Sequence, residues 1–132
     1  MITVPISELL KESRYELSLS LIAGRKGLSN KIAIPHIQKP GLALTGHTLN
    51  LHPGRVQILG TQEITYLTKQ APKVRATIIR KICREDIACF VVTHGNEVPS
   101  VLVAEADRTK TPVLATPLKT SIFIQRVTRF LD

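Results

Sequence analysis

Two patterns in the sequence indicate an α/β fold with a mixed, largely parallel sheet. The second half of the chain alternates short apolar runs with stretches of helical period, which is the pattern of β-α-β-α units. The first third shows strand-like alternation around a turn, which indicates an antiparallel hairpin. The 132 residues are also enough to bury a sizeable core. We therefore expect residues 1–132 to form a single domain.

The elements of the first third are short. Residues 2–4 predict a strand that runs into a helix with the sequence ISELLKE. Residues 15–23, YELSLSLIA, alternate leucine with polar side chains, which is the period of a half-buried strand. A turn at 24–27 and a second strand at 31–37 would complete the hairpin, with Pro35 favouring an edge or a strand end.

From residue 56 the chain has the pattern of a parallel sheet with helical crossovers. Pro72 suits the first turn of a helix, and the run IACFVV is typical of a strand covered on both faces. The predicted elements are strands over 56–59, 87–92 and 112–115, and helices over 61–70, 73–84, 99–108 and from Thr120 or Ser121 onward.

The chain is basic, with 18 Lys and Arg against 10 Asp and Glu, a net charge of +8. Six of these cations lie in the acid-free segment 69–84, where helical periodicity predicts a basic outer face. A solvated face is the ordinary interpretation, and binding of an acidic protein or of nucleic acid is the alternative. With two Tyr, three Phe and no Trp, the chain has few rings for base stacking, so we do not expect a nucleic-acid partner.

The composition also excludes several classes of site and location. Cys83 and Cys89 are too few for a four-cysteine zinc site, and we interpret both as buried thiols. The N-terminus lacks the pattern of a signal peptide, and no apolar run approaches the length that spans a membrane. We therefore expect a cytoplasmic protein with no membrane partner.

The segment 41–48, GLALTGHT, comes nearest to a catalytic motif because it resembles a phosphate-binding loop. It has His47 where that loop requires lysine, so nucleotide hydrolysis here is not expected. The four histidines show no metal-ligand spacing, and no Gly-x-Ser-x-Gly segment is present. We assign no catalytic residue, no cofactor-binding residue and no metal ligand, and we expect no cofactor in this chain.

Two polar groups remain as possible interdomain or ligand contacts. Arg55, Gln57 and Glu63 flank the strand predicted at 56–59, where an Arg55–Glu63 ion pair would lock the strand-to-helix junction without any ligand. His94 follows the strand predicted at 87–92, and Thr116 follows the next one. Open α/β sheets bind ligands at such strand ends. A polar turn is the alternative interpretation of His94 and its neighbours.

Four segments carry a family resemblance: PGLALTG (40–46), RVQILGTQEITYL (55–67), IACFVVTHGNEVP (87–99) and TPVLATPLKTS (111–121). Together they resemble the amino-terminal domain of bacterial HPr kinase/phosphorylase over essentially the whole chain. The resemblance implies a three-layer α/β/α sandwich, similar to the first domain of Mur ligases. It also implies that the chemistry belongs to a carboxy-terminal kinase domain absent from this chain, which is expected to be inactive alone.

The same resemblance implies what the parent enzyme does. It would phosphorylate a serine of the phosphocarrier HPr with ATP or pyrophosphate and magnesium, and remove that phosphate by phosphorolysis. Such enzymes control carbon catabolite repression and assemble as hexamers. This domain would then have a regulatory or assembly role, and the alternative is a module that binds a nucleotide-sugar or a phosphometabolite.

Overall fold

The computed structural model describes residues 3–32, 37–38 and 54–131. It confirms an α/β chain. The helices are α1 (Ile6–Lys11), α2 (Thr61–Lys69), α3 (Pro72–Cys83), α4 (Ser100–Thr109) and α5 (Thr120–Leu131). The strands are β1 (Val4–Pro5), β2 (Ser20–Ala23), β3 (Lys31–Ile32), β4 (Ile37–Gln38), β5 (Val56–Leu59), β6 (Cys89–Val92) and β7 (Val113–Ala115), with a short 3-10 turn over Arg25–Gly27.

The sheet is mixed and largely parallel, as predicted. Within the described ranges its strand order is β2-β7-β6-β5-β4. Strands β4, β5, β6 and β7 pair in parallel, and β2 runs antiparallel to β7. Because β5, β6 and β7 are parallel and adjacent, their carboxyl ends meet at one edge of the sheet.

Alternate residues of the central strands belong to two apolar clusters. Phe90 and Val92 of β6 pack with side chains from α2, α3 and α4. Cys89 and Val91 pack with side chains from α1 and α5. This two-residue period explains why IACFVV is apolar throughout, since a strand covered on both faces has no solvent-facing position.

The predicted hairpin is wrong. β2 pairs with β7, β3 pairs with β1, and β4 pairs with β5. The strand predicted over 15–23 begins only at Ser20, because Glu16 and Ser18 have positive φ angles of 53°. The carboxylate of Glu12 accepts hydrogen bonds from the backbone N–H groups of Tyr15 and Leu17, which holds this stretch out of the sheet.

The basic face predicted for the third helix is present. Lys73, Lys81 and Arg84 are exposed. Two cations of the same segment have structural partners instead. The guanidinium of Arg75 donates to the carbonyl oxygens of Leu67, Thr68 and Gln70 at the end of α2, and Arg80 pairs with Glu105 of α4.

Three further expectations have different outcomes. Cys89 is buried as predicted, whereas Cys83 is only partly buried. The segment 41–48 lies outside the described residues. Within the described parts of the chain, no helix is both long enough and apolar enough to cross a membrane.

Candidate functional site

The candidate site is a cavity at the edge where β5, β6 and β7 end. Its volume is about 260 Å³. It is lined by residues that follow these strands or begin the next helix: Gly60, Thr61, Gln62, Glu63, His94 and Thr120. The sequence placed a possible crevice at this edge because parallel strands end together there.

Glu63 organises the start of α2. Gly60 holds the N-cap position and has no side chain with which to cap the helix. The carboxylate of Glu63 reaches back, and its Oε1 atom accepts a hydrogen bond of 2.8 Å from the Gly60 N–H. A Cβ atom at Gly60 would lie 3.0 Å from Thr120 Oγ1 and 3.2 Å from Glu63 Oε1. Glycine therefore lets the strand end, α2 and α5 approach closely.

His94 joins the end of β6 to the start of α5. Its backbone is left-handed, with φ of 61°, and its imidazole Nε2 accepts a hydrogen bond of 3.2 Å from the Thr120 N–H. Beneath it, the hydroxyl groups of Thr93 and Thr120 share a buried hydrogen bond of 2.6 Å. His94 is exposed and lines the cavity, so it both supports the helix start and borders the cavity.

Thr116 has a structural partner outside the cavity. It is buried, and its hydroxyl donates a 2.8 Å hydrogen bond to the carbonyl oxygen of Leu17. The hydroxyl oxygen of Thr116 in turn accepts a hydrogen bond from the Leu118 N–H at 3.3 Å. Thr116 therefore fastens the segment before β2 to the end of β7, and the structure does not place it among the residues that line the cavity.

The expected Arg55–Glu63 ion pair is wrong. Arg55 directly precedes β5, and Glu63 lies beyond its end. The four-residue strand is about 13 Å long, so it keeps the two residues apart. The Nε atom of Arg55 is buried without a hydrogen-bond partner among the described residues. Gln57 is buried in the middle of β5, where its backbone is in register with Gln38 and Phe90. Neither residue lines the cavity.

Sequence reasoning missed Gly60 and Thr120 as cavity residues. Both directly precede or begin a helix after a parallel strand, which was the available signal. Since α2 and α5 both begin at the cavity, the dipoles of the two helix starts favour a hydrogen-bond acceptor there, whereas the carboxylate of Glu63 adds a negative charge to the lining. Among the described residues, no group of three or more His, Cys, Asp or Glu is placed to hold a metal ion.

Comparison with known proteins identifies the family. A family model described as HPr Serine kinase N terminus matches residues 4–131. The HPr kinase/phosphorylase of Geobacter sulfurreducens is 46% identical over 131 residues, which cover 99% of this chain and 41% of that enzyme. The chain thus spans about two fifths of the length of this relative. It belongs to the family of HPr serine kinase N-terminal domains.

Proposed function

We propose that the chain is a non-catalytic regulatory or assembly domain of an HPr kinase/phosphorylase. One observation carries the proposal: the predicted site side chains that surround the sheet edge serve the fold. Glu63 holds the start of α2, His94 holds the start of α5, and Thr116 holds the segment before β2. The match to the amino-terminal part of the family supports the same interpretation.

The proposal includes the parent enzyme. Its carboxy-terminal kinase domain would phosphorylate and dephosphorylate a serine of HPr in the cytoplasm, using ATP or pyrophosphate with magnesium, and it would assemble as a hexamer. We further propose that the domain is a three-layer α/β/α sandwich like the first domain of Mur ligases. The two apolar clusters, which take alternate residues of β6, support this arrangement.

The Geobacter sulfurreducens enzyme offers the test. We would remove the segment that corresponds to this chain and compare the shortened enzyme with the complete one. Phosphoserine formation on HPr, its removal by phosphorolysis and the molecular mass in solution would be measured for both. We expect the shortened enzyme to keep the kinase chemistry and to change either its assembly or the balance between the two activities.

Two results would contradict the proposal. Loss of phosphoryl transfer by a shortened enzyme that still folds and assembles would place part of the chemistry in this domain. A shortened enzyme identical to the complete one in mass and in both activities would leave the domain no regulatory or assembly role.

The cavity favours a second candidate, a module that binds a nucleotide-sugar or a phosphometabolite. Its volume of about 260 Å³ and its position at two helix starts suit a small polar ligand. A thermal-shift screen of this chain with uridine nucleotides and sugar phosphates tests it. A ligand at a hundredfold excess over its dissociation constant would stabilise the fold by about 2.7 kcal/mol. No shift across the panel would exclude this candidate.

A further inference from the structure

Cationic segments from three parts of the chain meet at the edge opposite the cavity, where β6 and β7 begin. The 3-10 turn places Arg25 and Lys26 there, α3 ends beside Arg84, and α4 ends at the left-handed residue Lys110. All four side chains are exposed. We call this surface, together with the exposed Lys31, the basic end.

Specific contacts hold these segments together. The Gly24 N–H donates a 2.7 Å hydrogen bond to Asp107 Oδ1 of α4. The side-chain amide of Asn30 donates to the carbonyl oxygens of Ala88 and Lys110, at 3.4 and 3.3 Å. Gly27 packs so closely on Lys110 that a Cβ atom there would collide with its backbone. The ion pair between Arg80 of α3 and Glu105 of α4, with an N–O distance of 2.9 Å, holds the end of α3 against α4 and so brings Arg84 to the same place.

The basic end borders an exposed apolar residue. The register of β2 against β7 shifts between Leu21 and Ala23, so Ile22 lies in a bulge and has no pairing partner on β7. Its side chain is 41% exposed, one of two large apolar side chains so exposed among the described residues. Ile22 is only three residues from Arg25. Exposed apolar side chains next to charged ones are common in protein interfaces.

We propose that the basic end, with Ile22 beside it, is a docking surface for an acidic protein segment that carries an apolar residue. The five cations have no ion-pair partner among the described residues, so charge complementarity favours a negatively charged partner. Three acids, Glu85, Asp86 and Asp107, lie on the same segments. Such mixed charge disfavours a densely charged anionic polymer such as nucleic acid and favours an acidic protein segment in which uncharged residues alternate with the acids.

The test uses the complete chain and a fluorescein-labelled peptide of Glu-Glu-Leu repeats, with fluorescence anisotropy as the measurement. The double variant Lys26→Glu/Lys110→Glu reverses two charges of the basic end. The double variant Lys69→Glu/Lys73→Glu makes the same change in net charge on exposed residues of α2 and α3. Arg84→Glu gives a second test on another element, and circular dichroism confirms that each variant folds.

We expect the basic-end double variant to weaken peptide binding about tenfold or more and the control pair to weaken it far less. Ile22→Ser should lower the affinity for the Glu-Glu-Leu peptide to that for a Glu-Glu-Ser peptide. Equal loss in both double variants, or absence of binding to the unmodified chain, would overturn the proposal. Tighter binding of a DNA duplex with the same dependence on Lys26 and Lys110 would overturn it in favour of a nucleic-acid surface.

Discussion

Single residues at the cavity mainly form hydrogen bonds that hold a strand end and a helix start in place. Glu63 bonds to the N–H of Gly60, and His94 accepts from the N–H of Thr120. Both acceptors satisfy backbone groups that a helix start or a strand end leaves without a partner. A change at either residue should therefore affect stability before it affects any binding property.

The Glu63→Ala variant should lower the free energy of unfolding by about 1 kcal/mol, because the Gly60 N–H loses its acceptor. Urea unfolding followed by circular dichroism measures the change. Gln62→Ala, at the adjacent exposed position, is the control and should leave the midpoint nearly unchanged. Equal midpoints for Glu63→Ala and the unmodified chain would refute the capping role.

The Thr116→Val variant should be destabilised by about 1 to 3 kcal/mol, because the buried carbonyl oxygen of Leu17 would lose its donor. The shape of the side chain is nearly conserved, so packing changes little. Thr65→Val, at an exposed position of α2, controls for the substitution itself. The same urea experiment decides, and a Thr116→Val midpoint no lower than that of the control would contradict the assignment.

At the scale of elements, the pair α3 and α4 is joined by one buried carboxylate. The carboxylate oxygens of Glu105 form two ion pairs. One is with a guanidinium nitrogen of Arg80 from α3 at 2.9 Å, and the other is with a guanidinium nitrogen of Arg108 from its own helix at 2.7 Å. The hydrogen bond from Arg80, followed by that from Arg108, lowers the pKa of Glu105 against the opposing effect of burial. The two guanidinium groups thus keep the carboxylate charged where α3 meets α4.

This contact predicts a loss of stability in acid. A folded-state pKa below the unfolded value of about 4.3 means that the unfolded chain binds more protons in that range. The contribution is therefore complete above the unfolded pKa and disappears as the pH falls through the folded pKa. Glu105→Gln should cost about 2 kcal/mol at pH 7 and show a weaker dependence on acid. A urea series at several pH values measures both.

An identical acid dependence in Glu105→Gln and the unmodified chain would show that other groups cause it. Glu97→Gln is a suitable control, since Glu97 is exposed and lies outside the two ion pairs.

Local patterns predicted the helices and the central strands but not all of the pairing. The elements from β5 to α5 follow from periodicity and from the positions of Gly60 and Pro72, which act within a few residues. The contacts of Glu12 and the positive φ angles of Glu16 and Ser18 keep the first half of the predicted strand out of the sheet. The remaining part, β2, pairs with the distant β7. Such long-range pairing has no signature in a two-residue period.

The candidate site was predictable in position and only partly in composition. His94 lies at a strand end because an apolar run ends before it. The predicted Arg55–Glu63 pair does not form because a whole strand separates the two residues. Distance along an extended chain would have shown this, since each strand residue adds about 3.3 Å.

At the scale of the whole molecule, the centre of the sheet is closed to solvent. The thiol of Cys89 lies in β6, and burial raises its pKa to about 12. At pH 8 it is therefore protonated and inaccessible. The reaction of this thiol consequently reports on opening of the entire fold.

In a Cys83→Ala variant, we expect the remaining thiol to react with Ellman's reagent at pH 8 only as fast as the chain unfolds. Its labelling rate should rise with urea in parallel with loss of the circular dichroism signal. Fast labelling in native buffer would show that the β6 region opens locally, contrary to the buried position of Cys89.

We propose that this chain supplies structure to an HPr kinase/phosphorylase and leaves the chemistry to another domain. The most direct measurement is incubation of the chain with HPr, ATP and magnesium, followed by intact-mass analysis of HPr, with the complete Geobacter sulfurreducens enzyme as the positive control. We predict no phosphoserine with the chain alone. Phosphoserine formed by the purified chain would show that this domain carries phosphoryl-transfer chemistry and would overturn the proposal.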